Sequence, residues 1–360
     1  MDWKNLTFND LPRILRSDDD ETLRSLLDHA YSVKMETVGK NVYFRGLIEY
    51  SNLCAKNCYY CGIRRGNRHA RRYTMTREET VDAGLFAFKQ NMGSIVLQSG
   101  ERCDREFTET IEGIIAELKE RTGGKLGITL SLGEQTRETY RRWYGAGAHR
   151  YLLRIEASNP ELYRKLHPAG HDFDLRRNCL IGLKEIGYQT GTGVMIGLPF
   201  QTGDDLVSDL EFFREMDIDM IGMGPYIVHN ETPLAAHAPD SPELRRKHYH
   251  DTLKMIAFAR ILLRDVNIAA TTAMQVLDPF GRERALKAGA NIIMPNITPM
   301  KYRSDYALYE GKPCVDEEPD QCLGCLTARI RMIGEEPGLG QWGDSLHFRK
   351  NADSPIETEG

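Results

Sequence analysis

The sequence of 360 residues predicts an α/β fold, a closed parallel (β/α)8 barrel of the TIM type. Eight short apolar runs alternate with amphipathic helical stretches along most of the chain. The runs are apolar enough to be buried on both faces, as parallel strands are. Glycine ends several helical stretches just before the next run, where a left-handed residue is favoured. An open doubly wound sheet stays an alternative, because the pattern alone does not show closure.

The predicted elements divide the chain into three parts. Residues 1–40 form an N-terminal helical extension, residues 41–300 form the barrel, and residues 301–360 form an irregular C-terminal segment with three more cysteines. The predicted strands are Val42–Tyr50, Ser94–Ser99, Gly127–Leu132, Tyr151–Glu156, Gly193–Leu198, Met220–Pro225, Ile268–Ala273 and Asn291–Pro295. The glycines that end helices are Gly93, Gly147, Gly187 and Gly289.

Composition narrows the class of protein. The net charge of -5 does not suggest a nucleic-acid-binding protein, and the arginine-rich run from Arg64 to Arg72 is either a solvated loop or an anion-gripping one. The N-terminus does not resemble a signal peptide, and no apolar stretch is long enough to span a bilayer. We therefore expect a cytoplasmic protein whose eight cysteines are ligands, nucleophiles or core residues before they are disulfides.

Three cysteines, Cys54, Cys58 and Cys61, follow the first predicted strand in the spacing Cys-x3-Cys-x2-Cys. Closely spaced thiolates are typical ligands of iron–sulfur clusters, and three of them leave one iron of a 4Fe–4S cluster open. The carboxyl end of a barrel strand is where barrel enzymes place their active sites. The alternatives are buried thiols or a zinc site, but zinc would need a fourth ligand close by, and His69 is eight residues away.

This motif, with the aromatic residue Tyr60 before its last cysteine, resembles the radical S-adenosylmethionine (SAM) superfamily. From about residue 42 to 325 the chain further resembles the HydE family of FeFe-hydrogenase maturases. The matching segments lie at or just beyond predicted strand ends. They are Arg45–Cys54, Leu97–Glu101, Leu130–Glu134, Arg150–Glu156, Met195–Pro199, Ala270–Met274 and Gly289–Asn296.

The resemblance implies a radical SAM barrel enzyme that binds a 4Fe–4S cluster and SAM and cleaves SAM reductively to a 5′-deoxyadenosyl radical. It implies a role in building the di-iron subcluster of the hydrogenase H-cluster, on an organometallic precursor of iron, CO, cyanide and cysteine. A low-potential electron donor and contact with other maturases are implied as well. Neither nucleic acid nor a membrane is an expected partner.

The resemblance also implies the cofactor-binding residues. Gln98, Ser99, Gly100 and Glu101 would meet the methionine ammonium of SAM. Tyr60, Glu156 and Arg176 would contact the cofactor, with Arg177 as the rival of Arg176. The residues alone leave two other interpretations open. The run from Gln98 to Glu101 is also typical of a strand and a tight turn. Strand alternation places Arg154 on the same face as Glu156, so the two could form an internal ion pair.

Further hydroxyl side chains and one guanidinium match polar positions of the HydE cavity and, inside a barrel, would suit small anionic ligands. For Thr271 and Thr272, plain strand formation is an equal interpretation. The expected substrate-binding residues are Thr129, Ser131, Arg154, Thr271, Thr272, Tyr306 and Tyr309.

A second cysteine set, Cys314, Cys322 and Cys325, lies in the C-terminal segment. Some members of the HydE family carry an accessory cluster at this spacing, so the set could hold a 2Fe–2S cluster. Such a cluster normally has four protein ligands, and loose surface thiols are the alternative.

Three rival functions remain at this stage. A related radical enzyme acting on a small organic substrate, such as the mutase that makes methylornithine, shares the cysteine motif and the barrel. A divergent substrate within the HydE-like group is a second rival. An iron–sulfur electron carrier or scaffold is the non-catalytic one.

Overall fold

The structure, a computed structural model, describes residues 2–239, 241–316 and 318–353. Its core is a ring of eight parallel strands. The hydrogen-bonded order is β10-β1-β2-β3-β4-β5-β7-β9. Ala269, directly after β9, pairs in parallel with Ile292 of β10, and this pairing closes the ring. The predicted parallel α/β barrel is therefore confirmed, and the open sheet is excluded. In chain order the strands are β1 Asn41–Ser51, β2 Ser94–Ser99, β3 Gly127–Ser131, β4 Arg150–Leu152, β5 Gln189–Thr192, β6 Met195–Ile196, β7 Met220–Ile221, β8 Gly224–Pro225, β9 Asn267–Ile268, β10 Ile292–Ile293 and β11 Glu336–Gly338.

Helices surround the ring and pack on it through their apolar faces. Several begin at a capping residue. Thr76, for example, forms a capping box with Glu79, which satisfies free backbone N–H groups of the first turn. The helices are α1 Leu11–Leu15, α2 Asp20–Thr37, α3 Arg77–Lys89, α4 Arg105–Arg121, α5 Arg137–Gly145, α6 Pro160–Leu166, α7 Phe173–Ile186, α8 Gly203–Glu215, α9 Pro242–Leu263, α10 Met274–Leu277, α11 Gly281–Lys287, α12 Met300–Arg303, α13 Pro319–Met332 and α14 Leu346–Asp353. Short 3₁₀ turns cover Trp3–Asn5, Phe8–Asp10 and Pro233–His237.

The fifth barrel strand differs from the prediction. The sequence predicts it over Gly193–Leu198, whereas the barrel strand is Gln189–Thr192 and only the two-residue β6 lies within the predicted range. The observed strand is polar in sequence, yet Gln189, Thr190 and Thr192 are buried. Hydrogen bonds explain why these polar side chains are tolerated: the Gln189 side chain accepts from Ser345 N, and the Thr192 hydroxyl donates to Leu153 O. The other seven predicted strands overlap observed ones, and several are shorter than predicted.

The N-terminal helices and the chain after residue 300 attach to the barrel through buried contacts. Lys34 of α2 forms a fully buried ion pair with Glu335 at 2.7 Å. The C-terminal segment is irregular over 304–316 and 339–345 but also contains α13, β11 and α14. Strand β11 extends the sheet beside the start of β1.

The amino-terminal end of the barrel is closed by residues 341–345. Arg150 donates to Asp344 at 2.6 Å, and both Arg45 and Asn267 donate to the Gly343 carbonyl. The opposite end, where the strands finish, carries the interior cavity described below. Among the described residues, no helix is long and apolar enough to cross a membrane.

Candidate active site

A cavity of about 290 Å³ lies inside the carboxyl end of the barrel. Its lining comes from the loops after β1, β2, β3 and β4, from α7 and from the irregular segment around Tyr306–Tyr309. This is the end of the barrel where the sequence predicts the active site. Most of the predicted site residues line it. They are Cys54, Cys58, Tyr60, Cys61, Gln98, Ser99, Gly100, Glu101, Ser131, Arg154, Glu156, Arg176, Thr271, Tyr306 and Tyr309.

Two predicted substrate residues do not line this cavity. Thr129 lies one layer deeper, on a separate cavity of about 20 Å³, and its hydroxyl accepts a hydrogen bond from Arg150 Nε at 2.9 Å. Inward-facing residues two apart on a barrel strand belong to successive layers, so Thr129 lies below Ser131. Thr272 is half-buried next to Thr271 and takes no part in the lining. Strand β9 has already ended here, and Thr272 lies in a turn in which Met274 N donates to Thr271 O at 3.2 Å.

The loop that carries Cys54, Cys58 and Cys61 packs against the turn after β2. Ala55 N donates to Glu101 O at 2.8 Å, and Glu101 N donates to the Cys54 sulfur at 3.3 Å. Gly100 allows this close approach, because a Cβ atom there would lie 2.3 Å from Leu53 O and 2.8 Å from Cys54 Cβ. The glycine of the Gln98–Glu101 run is therefore required by the packing of the cysteine loop.

Arg72 holds the rest of this loop in shape. Its guanidinium donates to the four backbone carbonyls of Asn52, Ile63, Arg64 and Asn67, at 2.6–3.0 Å. The arginine-rich run thus has two parts. Arg72 is a structural clamp, while a second group of arginines is exposed to solvent: Arg65, Arg68 and Arg71.

All three thiols of the loop are free and partly buried. Burial raises the pKa of Cys58 to about 12, and burial also raises the pKa of Cys54 and Cys61. The mutual repulsion of the neighbouring thiolates raises the pKa of Cys61 further. Three sulfurs so placed need a positive partner to ionise, which an iron–sulfur cluster supplies. The residues therefore fit the predicted 4Fe–4S cluster, with Cys54, Cys58 and Cys61 as its ligands.

Four charged side chains form a compact group at the cavity, called here the charge square: Lys56, Glu101, Glu134 and Arg176. Lys56, Glu101 and Arg176 line the cavity, and Glu134 pairs with both cations from behind the lining. Lys56 contacts Glu134 at 2.7 Å and Glu101 at 3.3 Å. Arg176 contacts Glu134 at 2.8 Å and Glu101 at 3.7 Å, and Glu134 N donates to Glu101 Oε2 at 2.9 Å. Two positive and two negative groups at this spacing suit a zwitterion such as the amino acid part of SAM.

The two carboxylates of the charge square titrate differently. Burial, together with the neighbouring Glu134, raises the pKa of Glu101. Burial opposes ionisation of Glu134 too, but Arg176 and Lys56 outweigh it and hold the pKa of Glu134 below its usual value. Glu134 is thus the carboxylate that the two cations stabilise, and Glu101 is the one that favours a further positive partner.

Arg176 and its rival Arg177 are separated by the structure. Arg176 faces the cavity and donates from Nε to Arg154 O at 2.7 Å, whereas Arg177 is exposed on the outer face of α7.

Arg154 and Glu156 form an ion pair at 3.0 Å, as the alternative interpretation of these two residues predicts. Glu156 has a positive φ of 67°, a strained conformation typical of functional positions.

A segment from the C-terminal part of the chain covers the cavity. Tyr306 accepts a hydrogen bond from Gln98 Nε2 at 3.2 Å. Lys312 then anchors this segment through a buried ion pair with Glu49 at 2.5 Å and a hydrogen bond to Tyr306 O. Glu49 is further contacted by Asn296 Nδ2 at 3.1 Å.

The second cysteine set is only partly described. Cys314 is half-buried, with Arg282 Nη2 at 4.0 Å from its sulfur, and Cys325 is exposed. The side chain of Cys322 lies outside the described residues. A 2Fe–2S cluster at these residues therefore stays a prediction.

Sequence reasoning missed several residues that contribute to the site: Lys56, Glu134, His167, His171, Glu49 and Lys312. Lys56 lies within the cysteine motif itself, and Glu134 ends one of the segments that carry the resemblance. The sequence could have singled out both, because they are charged residues close to predicted site residues. Lys312 gave no such signal, because its partner Glu49 is 263 residues away in sequence.

Comparison with known proteins gives consistent results. Residues 48–213 match the model of the radical SAM superfamily. The chain is 48% identical over 321 residues to the FeFe-hydrogenase maturase subunit HydE of Thermotoga maritima, covering 89% of this chain and 88% of that protein. It is 27% identical over 340 residues to 3-methylornithine synthase of Methanosarcina barkeri, covering 92% and 90%. A crystal structure of methylornithine synthase superposes with a TM-score of 0.80 at 25% identity, over 93% of this chain and 95% of that one.

Proposed function

The chain belongs to the HydE family within the radical SAM superfamily, and from that premise we propose that it is a radical SAM enzyme of FeFe-hydrogenase maturation. The observation that carries the proposal is that one cavity is lined both by three free thiols and by Lys56, Glu101 and Arg176 of the charge square. The higher identity to HydE than to methylornithine synthase favours maturation over a mutase on an organic substrate.

In this proposal Cys54, Cys58 and Cys61 hold the 4Fe–4S cluster. When bound, the cluster and SAM supply a 5′-deoxyadenosyl radical through one-electron reduction of the sulfonium. Arg176 binds and orients the carboxylate of the SAM methionine, for which a planar guanidinium is well suited. Glu101 accepts a hydrogen bond from the ammonium group of the same methionine. The half-buried Tyr60 and the buried Glu156 complete the cofactor side, and the covering segment at Tyr306 and Tyr309 limits access of water.

The substrate side of the cavity suits a small anionic or organometallic molecule. Arg154 supplies the guanidinium, which pairs with Glu156 at 3.0 Å and keeps its Nε without a hydrogen-bond partner in the described part of the chain. Ser131 and Thr271 add hydroxyls next to it. We propose an iron complex with CO, cyanide and cysteine as substrate. C5′ of the radical would bond to the cysteine sulfur, and the electron left from the iron–thiolate bond would reduce the iron by one. A low-potential one-electron donor and transient contact with the other maturases complete the proposal.

An accessory 2Fe–2S cluster at Cys314, Cys322 and Cys325 is a further part of the proposal. Changing all three to serine should lower iron and acid-labile sulfide per reconstituted chain while leaving SAM cleavage in place. An unchanged iron and sulfide content would remove this cluster.

The proposed function is tested by in vitro maturation. Apo-hydrogenase is incubated with the partner maturases and with this chain, and hydrogen production is measured. We expect activity with the native chain and a strong loss with Arg154→Gln, while SAM cleavage without substrate persists. If the native chain supports SAM cleavage but no maturation, the substrate is a different one and the maturation assignment is wrong.

A further inference from the structure

We propose that His171 donates a hydrogen bond from Nδ1 to the sulfur of Cys58 and thereby raises the reduction potential of the cluster. The inference rests on the proposed function, because it needs the 4Fe–4S cluster on Cys58. His171 lies in the loop between α6 and α7, outside the cysteine motif and outside the charge square. Its Nδ1 atom is 3.9 Å from the Cys58 sulfur.

The protonation of the His171 ring follows from its second contact. The backbone N–H of Asn57 donates to Nε2 at 3.3 Å, so Nε2 is the acceptor nitrogen. A ring nitrogen that accepts a hydrogen bond carries no proton, so Nε2 is unprotonated. A neutral imidazole carries one proton, and here that proton is on Nδ1, the atom that faces the sulfur.

Tyr60 is a second side chain near Cys58. Its hydroxyl hydrogen is donated to His167, for the following reason. His167 contacts the Tyr163 carbonyl through Nδ1 at 2.8 Å, so Nδ1 is its donor atom. Its Nε2 is then an acceptor and receives the Tyr60 hydroxyl at 3.1 Å. The Tyr60 hydrogen therefore points to His167, and the ring of His171 stacks on His167 at 5.3 Å. The Tyr60 hydroxyl is also within hydrogen-bonding reach of the Cys58 sulfur, but its single hydrogen serves His167. Among the described residues, His171 is therefore the side chain that donates to Cys58 in this arrangement.

The other two thiols of the loop receive backbone donors. Glu101 N donates to the Cys54 sulfur, and the backbone N–H of Ile63 is directed to Cys61. Removing a backbone donor requires a proline, which also constrains the chain, whereas the donor to Cys58 can be removed by changing one side chain. Hydrogen bonds to cluster sulfurs favour the more negative, reduced state, and this raises the potential. His171 is therefore a positioning residue that acts on the cluster through a ligand.

A competing use of the same residues has to be considered. Ligand atoms of Cys58, His167 and His171 all lie within 4.8 Å of one another, close enough for a single metal ion. Such an ion would have to displace the hydrogen bonds that Tyr60 and Asn57 make to the two rings. The observed hydrogen bonds thus favour a donor role for His171 over a ligand role.

The test is a redox titration of the anaerobically reconstituted chain, followed by the EPR signal of the reduced cluster. His171→Leu removes the donor, and His171→Asn keeps an N–H close to the position of Nδ1. His69→Leu is the matched control, since His69 is an exposed histidine of the loop that carries the three cysteines. We expect His171→Leu to shift the midpoint potential to a more negative value, with His171→Asn close to native and His69→Leu unchanged.

Equal potentials in the native chain and in His171→Leu would overturn the inference. So would loss of the cluster in His171→Leu, or one zinc ion per native chain that this variant no longer binds, because either result would make His171 a ligand. These outcomes are separate from failure of the proposed function, in which the native chain itself would assemble no 4Fe–4S cluster.

Discussion

Arg176 Nη1 donates to Glu134 Oε1 at 2.8 Å, and this contact sets the direction of the guanidinium in the cavity wall. The same side chain donates from Nε to Arg154 O, so two anchors fix its plane. A guanidinium held this way presents its remaining N–H groups to a ligand without losing further side-chain freedom.

Replacing Arg176 should therefore affect the cofactor more than the cluster. We expect Arg176→Ala to weaken SAM binding by roughly 10- to 100-fold, since a charged hydrogen bond contributes about 1.5–3 kcal/mol. Iron content should stay near native. Arg177→Ala is the control, because Arg177 is exposed and should bind SAM normally. Binding is measured by anaerobic calorimetry on the reconstituted protein, and native affinity in Arg176→Ala would remove this residue from the site.

Gly100 should tolerate no side chain. In Gly100→Ala the new Cβ would meet Leu53 O and Cys54 Cβ at 2.3 and 2.8 Å, so the cysteine loop must move. We expect iron per chain to fall well below native after reconstitution. Gly145→Ala is the matched change, since no atom lies within 4 Å of its Cβ position. Equal iron contents in both variants would contradict the packing argument.

The buried pair of Glu49 and Lys312 should stabilise the covering segment. Lys312→Met leaves Glu49 buried without its partner, and breaking such a pair costs about 3–5 kcal/mol. The double variant Glu49→Gln/Lys312→Met should recover much of this loss. Both the loss and the recovery are measured as changes in the free energy of unfolding in urea. An exposed pair serves for comparison: Arg105→Ala should change the stability by less than about 1 kcal/mol. A similarly small effect of Lys312→Met would show that the pair does not hold the segment.

Asp209 gives a pH dependence of stability. It is fully buried on α8 and accepts from Ser158 N at 2.7 Å, and burial raises its pKa from 3.8 to about 7. Between about pH 4 and pH 7 the Asp209 carboxyl is protonated in the folded protein but ionised in the unfolded chain. The free energy of unfolding therefore falls as pH rises through this range. Asp209→Asn should remove that decline and raise Tm at pH 8 more than at pH 4. Thermal melts at both values check this, and an equal change in Tm at both would contradict it.

The barrel and the position of the site were predictable because periodicity and local spacing carry them. Alternating apolar runs and helices indicate the ring, and Cys54, Cys58 and Cys61 follow its first strand in a single local motif. The polar strand Gln189–Thr192 was not predictable from hydrophobicity. Its burial depends on partners such as Ser345, which lies 156 residues away.

The fine composition of the cavity was harder to predict for a similar reason. A polar residue on a barrel strand faces inward in one of several layers, and sequence spacing does not show which layer the cavity reaches; Thr129 lies below it. The contact of His171 with Cys58 spans 113 residues, and the protonated nitrogen depends on the backbone of Asn57. Contacts between distant loops become visible only in three dimensions.

SAM cleavage tests the central claim most directly. The anaerobically reconstituted chain is reduced with dithionite in the presence of SAM, and 5′-deoxyadenosine is quantified beside a Cys58→Ala variant treated in the same way. We expect the native chain to form 5′-deoxyadenosine and the variant to form none above background. Equal amounts from the native chain and from Cys58→Ala, or none from either, would contradict a radical SAM enzyme.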